Sequence, residues 1–152
     1  LPFSTGFHPY LRVPLAGGDR NACTVRLPRS RRFHPVDQAG SFFDEPMPAQ
    51  DLPVANDASG TLLLGELAGR EVALRDEPGG VEVRLNFASQ PAYRFLALWS
   101  PETTSPFFCV EPWTALPNSF GRSDGEVIVL QPGESFEATL WMDVAEITAD
   151  TH

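Results

Sequence analysis

Glu111 is the residue whose setting most needs a chemical explanation. It closes the apolar run Phe107-Phe108-Cys109-Val110 and is followed by Pro112 and Trp113. A carboxylate is costly to bury unless it is paired or put to use. Two readings follow from this setting. Glu111 reaches the surface at a strand end, or it works in a carbohydrate pocket, where a sugar ring stacks on an aromatic face and a carboxylate accepts hydroxyl hydrogens. His8 is the second such residue. It lies in Gly6-Phe7-His8-Pro9-Tyr10, among apolar neighbours and with Pro9 pinning the backbone behind it. An imidazole in that position is either a satisfied core group or an acid–base group. His34 stands beside Arg31, Arg32 and Pro35 and reads as a surface residue, and His152 ends the chain and reads as solvated.

Several other chemistries lack their residues. No His-x-His, His-x3-His or Cys-x2-Cys spacing occurs, so no metal site is expected. No Gly-x-Ser-x-Gly elbow and no glycine-rich phosphate loop is present, and no cofactor is expected. All 11 basic residues are arginine, which removes a Schiff-base lysine. Cys23 and Cys109 do not form a disulfide framework and read as free, buried thiols. The net charge of −9 repels phosphate backbones, so nucleic acid is not an expected partner. Arg26, Arg29, Arg31 and Arg32 form one local exception, either a solvated loop or a contact for an anion or sugar phosphate. No apolar stretch is long enough to span a membrane.

The elements that must position Glu111 and His8 read as strands. Val81, Val83, Leu85 and Phe87 alternate with Glu82, Arg84 and Asn86, the period of a half-buried strand. Val72 and Leu74 repeat the pattern before the turn Asp76-Glu77-Pro78-Gly79-Gly80, so 70–87 predicts a hairpin. In 93–99 the odd positions Tyr93, Phe95, Ala97 and Trp99 share a face, while Leu96 and Leu98 bury the other. Short strands are predicted at 107–110 and 127–130, and a long one at 136–144. The segment 28–53, rich in Pro, Asp and aromatics and without a sustained period, reads as a long irregular connection of the kind that lines sites. With 12 Gly and 15 Pro interrupting the 152 residues, helical bundles are disfavoured. The prediction is one all-β unit over 1–152, an antiparallel β-sandwich. The chain opens on Leu rather than Met, and the sheet so begun leaves an unpaired edge. Both point to a piece of a longer protein. No signal sequence is visible, which makes the cytoplasm the expected compartment.

Three blocks of the sequence resemble the aldose 1-epimerase (galactose mutarotase-like) superfamily. Gly6-Phe7-His8-Pro9-Tyr10-Leu11 followed by Val13-Pro14 resembles its G-x-H-P-Y-F-x-x-P segment. Cys109-Val110-Glu111-Pro112-Trp113-Thr114 with Pro117-Asn118 resembles C-x-E-P-W-T-x-x-P-(D/N), and Leu130-x-Pro132-Gly133-Glu134-Ser135 resembles L-x-P-G-E-S. The resemblance implies a large twisted β-sandwich of which this chain is the C-terminal part, the whole being roughly twice as long. It implies an enzyme that interconverts the α and β anomers of an aldose, with Glu111 as catalytic base and His8 as catalytic acid. It also implies a sugar-binding Asp, for which Asp57 is the nearest match and Asp44 the alternative. Trp113 and Tyr10 are the expected aromatic contacts of the sugar. The expected partners are a monosaccharide and either the N-terminal half of the same protein or a second copy. The competing expectations are a non-catalytic carbohydrate-binding sandwich, a hexose-phosphate epimerase, and a structural domain in which His8 and Glu111 are merely packed.

Overall fold

A computed structural model describes residues 1–37, 40–54, 60–122 and 126–147. Among these there are thirteen strands and no α-helix. In chain order they are β1 (Pro2–Phe3), β2 (Tyr10–Arg12), β3 (Cys23–Leu27), β4 (Ser30–Pro35), β5 (Phe42–Met47), β6 (Gln50–Pro53), β7 (Leu62–Gly65), β8 (Glu71–Asp76), β9 (Val81–Asn86), β10 (Phe95–Trp99), β11 (Phe107–Trp113), β12 (Ile128–Val129) and β13 (Trp141–Glu146). Every pairing is antiparallel. One sheet has the order β2-β11-β10-β7-β4-β5, the other β13-β9-β8-β3-β6, and β1 pairs with β12 alone. No helix among the described residues is long and apolar enough to cross a membrane.

One buried cluster holds the two large sheets face to face. Leu62, Leu64, Leu96, Leu98, Phe108 and Val110 enter it from the six-stranded sheet, and Val25, Leu27, Val72, Leu74, Val83 and Leu85 from the five-stranded one. Period-two patterning produces this directly, since alternate side chains of each strand leave on opposite faces. The hairpin read at 70–87 is present as β8 and β9. Asp76 closes its turn by accepting the amides of Gly79 and Ala16, each at 3.0 Å, and Gly80 takes φ +67°, a conformation open to glycine. The sandwich expected from the sequence is therefore the one observed.

Two expectations are corrected. The segment 28–53 is not an irregular connection, since it contains β4, β5 and β6. Its prolines hid the strands. β5 and β6 are the outer strands of their sheets, where a proline costs no ladder bond. Arg26, Arg31 and Arg32 accordingly lie on strands rather than in a loop, with Arg26 paired to Asp51 and Arg31 to Asp44. The long last strand is also shorter than its pattern, because β13 begins only at Trp141. Phe136, Ala138 and Leu140 do alternate inward, and Ala138 and Leu140 pack on the core, but among the described residues no strand pairs with 136–140 to form a ladder.

Candidate active site

The six-stranded sheet has a second face, opposite the core. Leu63, Phe95, Ala97 and Leu116 form a small buried cluster there, with Phe33, Phe42 and Trp113 packed against it. β11 sends Phe107, Cys109, Glu111 and Trp113 to this face and Phe108 and Val110 to the core. That division makes an otherwise apolar strand carry a carboxylate. Glu111 stands directly opposite Ala97 and is only 2% exposed.

His8 reaches Glu111 through register. Gly6 bridges Trp113, and Tyr10 pairs with Cys109, so His8 falls opposite Glu111 along the edge of the same sheet. Pro9 has no amide to donate, and the ladder is interrupted between Phe7 and Tyr10. Strong ties flank the gap. Thr114 N donates to Thr5 O at 2.9 Å, Thr5 N to Thr114 Oγ1 at 2.9 Å, and Phe7 N to Pro112 O at 3.1 Å. The imidazole is half exposed, stacks on Tyr10 at 4.8 Å between centroids, and meets the edge of Trp99.

His8 Nε2 lies 3.4 Å from Glu111 Oε1. The other carboxylate oxygen is engaged, since Trp113 Nε1–H donates to Oε2 at 3.2 Å. Burial raises the Glu111 pKa above the ordinary carboxylate value, against smaller opposing effects of His8 and of the indole hydrogen bond. The result is a carboxylate with one free oxygen, more basic than usual, facing an imidazole open to solvent. Cys109 sits beside it, fully buried, with its thiol pushed up to about 12, chiefly by burial. Both cysteines are free and buried, as read from the sequence.

The structure thus brings together His8, Glu111, Trp113 and Tyr10. Asp57 lies outside the described residues. Asp44 shares the face but not the site. The row Glu111, Ala97, Leu63, Phe33, Asp44 crosses five strands, so the two carboxylates are separated by four strand spacings, roughly 19 Å in a flat sheet. Trp99 and Phe107 complete the aromatic wall around Tyr10 and were not singled out in the sequence. Trp99 shares its face with Phe95 and Ala97 by simple alternation, so the signal was present. Arg20 gave no such signal. Its buried guanidinium donates to Ser105 O at 2.6 Å, Phe107 O at 3.1 Å and Ser100 Oγ at 3.1 Å, pinning the start of β11 to the end of β10.

Two cavities open on this face. One of about 420 Å³ is lined by Phe33, Glu66, Arg70, Arg94, Phe95 and Arg122, among others. A second, of about 390 Å³, lies against Gly6, Trp113 and Leu116.

Comparison with solved structures places the architecture. A galactose mutarotase-like protein from Clostridium acetobutylicum superposes with a TM-score of 0.78 at 18% identity, over 96% of this chain and 48% of that one. The chain has the galactose mutarotase-like fold. A second galactose mutarotase-like protein, from Lactobacillus casei ATCC 334, gives a TM-score of 0.72 at 21% identity over 95% of this chain and 54% of its own. No protein-family model matches the sequence. Among curated proteins, the chromosomal and plasmid forms of LacX from Lactococcus lactis subsp. lactis are each 26% identical over 145 residues. That match takes in 87% of this chain and 46% of LacX, so the chain spans about half the length of the curated relatives it matches.

Proposed function

We propose that this chain is the C-terminal half of an aldose 1-epimerase, carrying the proton-transfer pair of the enzyme. The observation that carries the reading is the 3.4 Å separation of His8 Nε2 and Glu111 Oε1 on a mutarotase-like sheet. In a pyranose the anomeric hydroxyl and the ring oxygen are bonded to the same carbon, so the groups that serve them must be neighbours. Glu111 as carboxylate takes the anomeric O–H proton. The electrons of that O–H bond become the second bond of the C1 carbonyl, the C1–O5 bond breaks, and O5 takes a proton from the His8 imidazolium. Rotation about C1–C2 presents the other face of the aldehyde, and closure reverses each transfer. A buried, unusually basic carboxylate suits the first step. Tyr10, stacked on the imidazole, holds its plane, and Trp113 fixes which oxygen of Glu111 is free.

The half-domain reading rests on the open margin of the structure. Met142 and Val144 sit opposite Leu85 and Val83 on the inner face of β13, yet are 55% and 70% exposed. Among the described residues no strand pairs with 136–140. These surfaces suit a covering segment that supplies further strands and the remaining hydroxyl contacts of a monosaccharide. The free, buried thiols suit a reducing compartment such as the cytoplasm.

The test is polarimetry of freshly dissolved α-D-glucose and α-D-galactose, with the chain and with Glu111→Gln. Acceleration abolished by the substitution supports the pair, and acceleration unaffected by it removes Glu111 as the base. Sugar binding without acceleration would favour a carbohydrate-binding module instead. A phosphorylated aldose is the second substrate to try, since Arg70, Arg94 and Arg122 line the larger cavity on the same sheet face together with Glu66 and Glu126, the latter paired to Arg94 at 2.9 Å. A hexose 6-phosphate therefore belongs in the assay beside the free sugars.

A further inference from the structure

We propose that His8, Cys109 and Glu111 form a three-ligand site for a thiophilic divalent cation, Zn²⁺ foremost, and that its occupation switches the acid–base pair off. One ligand atom from each residue, the thiol sulfur, an imidazole nitrogen and a carboxylate oxygen, lies within 4.8 Å of the other two. Ligands around a tetrahedral zinc sit at about 2.0–2.3 Å from the metal, which sets their mutual distances at roughly 3.3–3.8 Å. His8 Nε2 and Glu111 Oε1 already meet that spacing at 3.4 Å. The sulfur, within 4.8 Å of both, reaches that spacing by a small rotation about one side-chain bond.

The surroundings fit a cation as well as the ligands do. Cys109 and Glu111 are buried on a face whose neighbours are Ala97, Phe95 and Trp99. A thiolate and a carboxylate together neutralise a divalent ion, so the filled site carries no net charge. The thiol proton leaves to solvent as the sulfur–metal bond forms. Trp113 Nε1–H already holds Glu111 Oε2 and leaves Oε1 as the single ligating oxygen, the outer-shell hydrogen bond that orients a metal-binding carboxylate. The stack on Tyr10 orients the imidazole. His8 is half exposed, which gives a water or a sugar hydroxyl access to complete the shell. Sulfur and nitrogen donors select Zn²⁺ over Mg²⁺ and Ca²⁺. No spacing motif reveals this set, because His8 comes from the segment before β2, remote in sequence, and the other two are separated by only one residue.

The cation and the proposed proton transfers use the same two atoms, so inhibition rests on the mutarotase reading, whereas binding does not. The test uses Co²⁺ as a spectroscopic substitute on the metal-stripped chain. One equivalent is expected to give the visible bands of tetrahedral cobalt together with a near-ultraviolet thiolate-to-cobalt band, both erased by Zn²⁺ and unaffected by excess Mg²⁺. Cys109→Ser is expected to lose the thiolate band and Cys23→Ser to keep it, with thermal melts confirming that both variants fold. Visible bands without the thiolate band, or a thiolate band that survives Cys109→Ser, would overturn the site. A chain that accelerates mutarotation but takes up no cobalt also overturns it and leaves the enzyme reading intact. The full cobalt spectrum on a chain without mutarotase activity supports the site and sinks the enzyme reading.

Discussion

Gly6 is the point at which a single methyl group should disable the site without touching a reacting atom. A Cβ added there would fall well inside van der Waals contact with Trp113 Cδ1, 3.0 Å from Pro112 O and 3.1 Å from Trp113 Nε1. Carbon contacts settle at about 3.5–4.0 Å, so the indole must retreat by about 1 Å. Its hydrogen bond to Glu111 Oε2 is already 3.2 Å long and does not survive that shift. Losing a bond to a charged acceptor costs about 1.5–3 kcal/mol, which corresponds to about 10–150-fold in rate if it is felt fully in the transition state. Overpacking adds a stability cost of about 1–3 kcal/mol, a fall in Tm of roughly 2–12 °C for a chain of this size. The assay pairs polarimetric rates with thermal melts for Gly6→Ala, for Trp113→Phe, and for the double variant. If Gly6 acts through the indole, alanine should cost far less in the Trp113→Phe background. A Gly6→Ala variant with parental rate and Tm refutes the reasoning, as does one whose full cost persists without the indole.

Three further outcomes are expected. Glu111→Gln should lose about 10²–10⁴ of the rate and gain stability at neutral pH. Burial raises the folded-state pKa of Glu111, so its contribution to stability is most favourable below the unfolded carboxylate value of about 4.3 and declines as pH rises toward the folded value. The Tm advantage of the variant should therefore widen between pH 4 and pH 7, and a constant difference would remove the buried-carboxylate argument. Arg20→Met leaves the Ser105 carbonyl without its donor and takes one of two donors from Phe107 O, which keeps Ser100 Oγ at 3.1 Å. At about 1–3 kcal/mol for a buried orphan, urea unfolding should show a loss of about 1–3 kcal/mol, and near-parental stability would mean that the guanidinium pins nothing. Tyr10→Ala removes the ring stacked on His8, worth about 0.5–1.5 kcal/mol. A loss of about 2–12-fold in kcat with little change in Tm is expected, and an unchanged kcat would free His8 from its support.

The parts of the fold that the sequence made legible are those where burial and alternation agree. β8 and β9 bury one face against the core, and their turn carries its own chemistry, so both strands and the connection between them could be read. β4, β5 and β6 could not. They are half exposed, β4 and β5 carry charges on both faces, and the prolines of β5 and β6 are harmless only because those strands lie at sheet edges, a fact of topology rather than of local pattern. The segment 136–140 fails in the opposite sense. Its alternation is sound, but a strand needs a neighbour, and period two does not show whether one exists. At the site, Glu111 was legible because a carboxylate in an apolar run is anomalous by itself. The contact of His8 with Glu111 was not, since it depends on the register that Gly6–Trp113 and Tyr10–Cys109 impose. Cys109 was read correctly as buried and free, but its place beside the other two follows only from which face of β11 is which.

The architecture separates two tasks that an anomer-interconverting site must combine. Proton transfer needs two groups at fixed spacing, and a single antiparallel pairing supplies it: residues 5–12 run along β11, and the register places an imidazole opposite a carboxylate. Sugar recognition needs many polar contacts converging from several directions, and among the described residues this sheet face does not provide them near Glu111. The neighbours of Glu111 in its row are Ala97 and Leu63, and Asp44 is engaged by Arg31 four strands away. An apolar floor with a proton-transfer pair at one end binds no particular hydroxyl pattern. On the mutarotase reading, specificity then belongs to residues outside this floor, among them surfaces that cover the margin at β13 and 136–140 or that border the cavity holding Arg70, Arg94 and Arg122. It follows that substitutions in the β2–β11 pairing should change the rate for every aldose alike, whereas the choice among aldoses should move only with residues outside it. A His8 or Glu111 substitution that altered the glucose-to-galactose preference while sparing turnover would show that the two tasks are not separated in this way.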